Sequence, residues 1–204
     1  MIVIDTQQGS GEWFELRRGI PTGSDTSRIC TSKGVRSTQR TDYLHELVAE
    51  RITGKDVGEG HQSEDMLRGT ALEPEARAWY QFETEQDVAI CGFIFADKRK
   101  RFGVSPDGIT TTGGLEIKCR GQKQHIATLL RGRPQSSEWM QMQANMYASA
   151  RSTWDYVAYH DDPSLPNVIW TIDSDEQWID AFKGHLEAFC DDVDAAEAKV
   201  RAMA

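Results

Sequence analysis

The sequence predicts an α/β fold in which a central mixed β-sheet is flanked by helices. Three observations predict it. The N-terminal segments carry apolar residues at helical spacing, short alternating stretches gather between Val88 and Ile172, and the chain closes on one long amphipathic helix. With 204 residues, 39% of them hydrophobic, the chain can bury a sizeable core, and a single domain over 1–204 is expected.

The elements follow in order. A helix runs from Trp13 to Arg18 and another from near Ser24 to Ser32. Thr41 caps a helix through Ile52 that Gly54 ends. Val57 to Ser63 is a Gly-rich loop. Arg68 to Tyr80 is helical, with Ala76, Trp79, Tyr80 and Phe82 at helical spacing. Gly69 and Pro74 predict a break or restart there, because Pro suits the first turn of a helix better than its interior. Val88 to Phe95 and Phe102 to Ser105 read as strands, the second paired with Leu115 to Cys119. Gly108 to Gly114 reads as the turn of a hairpin. A helix from His125 to Leu130 is broken by Gly132-Arg133-Pro134 and followed by a helix through Gln143. Thr153 to Tyr159 and Asn167 to Ile172 are strands joined through Asp161-Asp162-Pro163. Ser174 and Gln177 form a capping box for the last helix, whose stripe is Trp178, Phe182, Leu186, Phe189 and Val193.

Composition excludes several classes. No stretch reaches the length of a membrane span, and the N-terminus lacks the basic and apolar regions of a signal peptide. The four cysteines (30, 91, 119, 190) form no CxxC pair, so zinc is disfavoured and reduced thiols are expected. The five histidines (45, 61, 125, 160, 185) show no metal-ligand spacing. Net charge is -9, but Lys98 to Arg133 holds nine Lys/Arg against Asp107 and Glu116. A basic groove on an acidic body would attract a polyanion locally. On pattern alone, Lys98-Arg99-Lys100-Arg101 is equally a solvated turn between strands.

The chemistry gathers at Pro106-Asp107 and Glu116-Ile117-Lys118. Strand alternation sends Glu116 and Lys118 to one face and Leu115 and Ile117 to the other, and a hairpin returns Asp107 to Glu116. Two carboxylates held close repel, and a divalent cation relieves the repulsion; Mg²⁺ takes oxygen ligands and keeps several waters. Lys118 is a compact cation able to orient or deprotonate a water or to neutralise developing charge. Such a triplet alone is usually a charged strand edge. Two further groups join it: Glu73, a third carboxylate, and Gln143, a neutral donor and acceptor on a helix.

Pro106-Asp107 followed by Glu116-Ile117-Lys118 is a literal instance of the PD-(D/E)XK nuclease signature. Three more segments, residues 13–24 from Trp13 to Ser24, Gly69 through Ala76, and Gln141-Met142-Gln143, resemble the phage lambda exonuclease family, the alkaline exonucleases of viral recombination systems. The resemblance covers roughly residues 11 to 195 in the family's order. It implies a restriction-endonuclease-like core. It implies Asp107, Glu116 and the Ile117 main-chain carbonyl as metal ligands, with Glu73 completing the shell directly or through water. Lys118 would activate the attacking water and Gln143 would sit beside the phosphate. Arg17, Ser24 and Ser105 would hold the 5′-phosphate; the adjacent Arg18 leaves two candidates for that pocket. Arg36 would enter the minor groove, and Met66 or Leu67 would wedge open the duplex end, although both positions also read as an ordinary loop and ordinary helix packing.

The activity implied is a Mg²⁺-dependent 5′-to-3′ exonuclease, with two ions per site and Mn²⁺ as a substitute. It would digest one strand of linear double-stranded DNA from a 5′-phosphorylated end and leave a 3′ overhang. The resemblance also implies a homotrimeric ring, a single-strand annealing protein as partner, no membrane, and a place in the cytoplasm of a bacterial host, encoded by a phage or prophage. Two other readings stay open: an endonuclease of the restriction or junction-cutting kind on the same core, and a noncatalytic DNA-end binder.

Overall fold

A computed structural model describes residues 1–57 and 64–203, with the side chains of 64–66 excluded. Helix α1 (Gly11–Arg17) begins at Ser10, whose hydroxyl accepts the Trp13 N–H at 3.2 Å. The single helix expected from Ser24 to Ser32 is instead a 3-10 turn (Gly23–Asp25) and a short α2 (Thr26–Ile29). It stops because Cys30 is extended and bridges to Arg36. Helix α3 (Arg40–Thr53) starts from Gln39 rather than from a Thr41 cap, and ends as expected at Gly54 with φ 66°.

Helix α4 (Glu64–Thr84) runs unbroken through Pro74, which corrects the expected restart. Pro74 cannot donate to the carbonyl one turn back. Leu72, Ala76, Trp79 and Tyr80, on both sides of it, pack onto the sheet and hold the helix across the gap. Phe82 falls off that stripe and is exposed.

Strands β1 (Ile2–Ile4), β2 (Phe93–Phe95) and β3 (Gly103–Val104) form a small antiparallel sheet. The segment expected to pair with Leu115 to Cys119 therefore pairs with β2 instead. The expected mixed sheet is the four-stranded one, ordered β4 (Gly108–Ile109), β5 (Gly114–Lys118), β6 (Thr153–Ala158), β7 (Val168–Asp173). Strands β5 and β6 are parallel, and the outer pairs are antiparallel. A parallel pair needs a long crossover; here it is α5 (Gln122–Arg131) and α6 (Ser136–Ser149).

Helix α4 covers one face of this sheet, where Ala76 and Tyr80 pack on Leu115, Ile117, Cys119 and Val157. Helix α6 covers the other, where Met142 and Met146 pack on Trp154, Tyr156 and Ala158. Helix α7 (Glu176–Arg201) lays its predicted stripe into a third cluster with α3 and α6. Its cap is Asp175, which accepts the Trp178 N–H at 2.9 Å, one residue after the expected Ser174. Ser174 instead donates its N–H to the Ser152 carbonyl at 2.8 Å.

The acidic face of α7 is not free. It pairs Asp192 with Arg40, Asp194 with Arg51, Asp191 with Arg101 and Glu187 with Arg99. Two of the four charges in the basic run 98–101 are thus balanced by the C-terminal helix.

Candidate active site

Asp107 lies just after β3, and β4 turns it back toward β5. Residues 110–113 close the turn through the Thr110 N–H to the Gly113 carbonyl at 3.0 Å. The Asp107 carboxylate then accepts the Ile117 N–H at 2.6 Å, so the hairpin joins the two halves of the motif. Gln8 fixes the preceding residue by donating to the Pro106 carbonyl at 2.8 Å.

Alternation along β5 holds. Leu115 and Ile117 face α4, while Glu116 and Lys118 are bonded to each other at 2.5 Å. Glu116 is not open to solvent: α6 covers it, and Asn145 Nδ2 approaches it at 3.5 Å. Glu73 reaches the site from α4 and pairs with Arg77. Arg77 also donates through Nε and Nη2 to the Asp107 carbonyl, at 3.1 and 2.8 Å. Glu73, Asp107, Ile117, Lys118 and Arg120 line one cleft of about 450 Å³.

The electrostatics follow from this crowding. Burial raises the Glu116 carboxyl to about 7, with Lys118 opposing and Asp107 adding. Burial also raises Asp107, against Lys118, the Ile117 N–H and Arg77. Burial and the Asp107 charge raise Glu73, against Arg77. Lys118 is half-buried, and desolvation opposes its charge, yet Glu116 and Asp107 hold it above the usual lysine range. These carboxylates resist ionising together, which a divalent cation relieves. Two or three carboxylates and a main-chain carbonyl are the hard oxygen donors Mg²⁺ takes, so the residue types fit the ion. They do not form a ready-made cage: among the described residues no three His, Cys, Asp or Glu side chains are grouped to hold a metal. Lys118 and Arg77 carry the balancing charge in this geometry.

A second constellation adjoins the first. Arg17 approaches Ser105 Oγ at 3.4 Å, Ser24 Oγ at 3.4 Å and Thr22 Oγ1 at 3.5 Å, with its guanidinium 4.2 Å from the Trp13 ring centroid. Burial lowers its pKa, with Asp25 opposing. Among the described residues Arg17 makes no ion pair, whereas Arg18 is engaged by Glu15 and Asp56. Arg17 is therefore the member of the pair that enters this pocket.

Comparison with known proteins fits this geometry. Residues 12–152 match the family model of the YqaJ-like viral recombinase domain. The chain belongs to this family. An alkaline exonuclease from Laribacter hongkongensis (LHK-Exo) is 31% identical, with a TM-score of 0.86 over 95% of this chain and 97% of that one. The same protein in complex with dAMP gives the same values. A phage-related exonuclease from Haemophilus somnus 129PT shares the fold at 13% identity, with a TM-score of 0.70 over 91% of this chain and 96% of that one. No curated protein sequence matches. This YqaJ-like chain is a nuclease of the viral recombinase type, with the expected mixed α/β architecture.

Within the YqaJ-like frame, one expected site residue is misplaced. Gln143 is fully buried, donates to the Asp173 carbonyl at 2.9 Å and accepts the Asp175 N–H at 2.7 Å. It ties α6 to the start of α7, and its side chain is buried away from the cleft. Gln141, half-buried, shares a helix face with Glu138 and Asn145, the face turned to Glu116. Arg77 is the other residue that sequence reasoning missed; its spacing of four from Glu73 was the available signal. Arg36 is exposed on the loop after α2 and lines neither constellation. The Met66 side chain lies outside the described residues, and Leu67 beside it is exposed.

Proposed function

We propose that this YqaJ-like nuclease is a Mg²⁺-dependent 5′-to-3′ exonuclease that degrades one strand of linear double-stranded DNA from a 5′-phosphorylated end. One observation carries the reading: Arg17, a desolvated cation with hydroxyl partners and, among the described residues, no carboxylate pair, is bonded to Ser105, two residues from Asp107. Two residues of chain span at most about 7 Å. A terminal phosphate held at Ser105 therefore brings the first linkages of its strand to the carboxylates. A guanidinium fork with hydroxyl donors suits a phosphate. The extra charge of a terminal phosphate favours it over an internal one. The complex of the LHK-Exo relative with dAMP, a 5′-nucleotide, is in keeping with release of mononucleotides.

Asp107, Glu116, the Ile117 carbonyl and Glu73 would hold Mg²⁺, two ions in the full proposal and replaceable by Mn²⁺, which when bound activates water and offsets charge on the phosphate. Lys118, kept charged by Glu116 and Asp107, acts as a donor that orients the attacking water and meets the charge developing on phosphate oxygens. Gln141 takes the phosphate-side place on α6. The family resemblance extends the proposal to a homotrimeric ring working with a single-strand annealing protein in a bacterial cell. No helix among the described residues is long and apolar enough to cross a membrane.

The test is a linear duplex with a 5′-phosphate at one end and a 5′-hydroxyl at the other, with Mg²⁺ or EDTA and with Lys118→Ala as control. Mononucleotides from the phosphorylated strand alone, lost with EDTA and with Lys118→Ala, support the proposal. Internal cuts or equal attack on both ends favour an endonuclease.

A further inference from the structure

Trp13 contacts two members of the Arg17 pocket at once. Its indole Nε1 donates to Ser105 Oγ at 2.9 Å, and its ring lies under the Arg17 guanidinium at 4.2 Å. Its own place is fixed, because its backbone N–H is held by the Ser10 cap at 3.2 Å and Phe14 meets its ring edge-on at 5.0 Å.

The hydroxyls of the pocket are not equivalent. Thr22 and Ser24 each have a proton acceptor in Asp25 Oδ2, at 3.1 and 3.2 Å. Ser105 Oγ instead receives two donors, Trp13 Nε1 and Arg17 Nη1. A hydroxyl has two acceptor sites and one proton. With both acceptor sites filled, Ser105 is left only as a donor, and no described group within bonding distance accepts its proton. It needs an acceptor, and a phosphate oxygen supplies one.

We infer that Trp13 is a positioning residue for the 5′-terminal phosphate: its indole N–H fixes Ser105 as an obligatory donor, and its ring holds the Arg17 plane in place. The inference rests on the proposed 5′-phosphate reading and goes beyond it by naming what sets the polarity of the pocket. Arg17 is attracted to the ring face, so it stays ordered without the carboxylate that would compete with a phosphate.

The experiment measures the ratio of digestion rates from 5′-phosphate and 5′-hydroxyl ends for wild type, Arg17→Ala, Trp13→Phe, Ser105→Ala and the Trp13→Phe/Ser105→Ala double variant. A ratio taken on one preparation cancels the folded fraction. Trp13→Phe keeps an aromatic face under Arg17 and removes the N–H. The ratio is expected to fall about tenfold in Trp13→Phe, and no further in the double variant than in Ser105→Ala, because the two act as one unit. If wild type shows no preference, the 5′-phosphate reading fails and this inference with it. If wild type prefers the phosphate, Arg17→Ala loses the preference and Trp13→Phe keeps it, the inference alone is overturned. Additive effects of Trp13→Phe and Ser105→Ala overturn it as well.

Discussion

Arg77 shows how much of this site depends on a side chain that touches no reacting atom. Its guanidinium joins Glu73 on α4 to the Asp107 carbonyl through two donors, and so sets the spacing of two proposed metal ligands. Lysine would keep the charge and lose the paired bonds. Arg77→Lys is expected to lower kcat about 10- to 100-fold, the usual cost of a group that orients a ligand. It is also expected to raise the Mg²⁺ concentration for half-maximal activity; steady-state rates across a Mg²⁺ series measure both. An unchanged Mg²⁺ requirement would assign Arg77 to packing alone. The two glutamines separate cleanly on the same helix. Gln143→Ala leaves the Asp173 carbonyl and the Asp175 N–H without their buried partner, a loss of about 1–3 kcal/mol read by urea unfolding. Gln141→Ala is expected to lower activity while stability holds. The sequence segment offered both. They stand about 200° apart around the helix, and only the phase against Glu116 tells which one faces the chemistry.

At the level of elements, legibility tracked length. Long helices with a 3.6-residue period, α3 and α7, lie where the spacing put them, and the Gly54 stop is in place. Strands β3 and β4 have two residues each, too few to show alternation, so the partner of β3 was misread and β4 was taken as part of the hairpin turn. The triplet Asp107, Glu116, Lys118 was legible because a single hairpin brings it together. The Arg17 pocket was not readable from spacing, because 88 residues separate Arg17 from Ser105; only resemblance joined them. The hairpin itself depends on close approach. A Cβ at Gly114 would lie 2.4 Å from the Trp154 ring, and both sit in the β5–β6 register that carries Glu116. Gly114→Ala is expected to cost about 1–3 kcal/mol by overpacking. Thermal unfolding measures it, and a loss of activity larger than the unfolded fraction explains would show that the strand carrying Glu116 has shifted.

The molecule as a whole keeps its charges in separate places. Helix α7 neutralises Arg40, Arg51, Arg99 and Arg101 on one side, while the carboxylates at the cleft are left crowded around Lys118. That crowding makes stability depend on pH and on metal together. A carboxyl ordinarily near 4.5 is raised to about 7 at Glu116, with burial as the largest cause. Its favourable contribution is complete below about pH 4.5 and is lost as pH rises through 7, because the folded state then ionises a group it holds less well than the unfolded chain does. Mg²⁺ acts in the opposite direction: it competes with the proton at low pH and relieves the repulsion at high pH. Mg²⁺ at a hundredfold excess over its Kd adds about 2.7 kcal/mol, or roughly 5–10 °C in Tm for a chain of this size. That increment is expected in full at pH 8 and in small part at pH 5.5, measured by thermal melts with Mg²⁺ or EDTA. Glu116→Gln, which cannot ionise, should melt higher than wild type in EDTA at pH 8 and lose most of the Mg²⁺ increment. Equal increments at both pH values would detach the metal from Glu116.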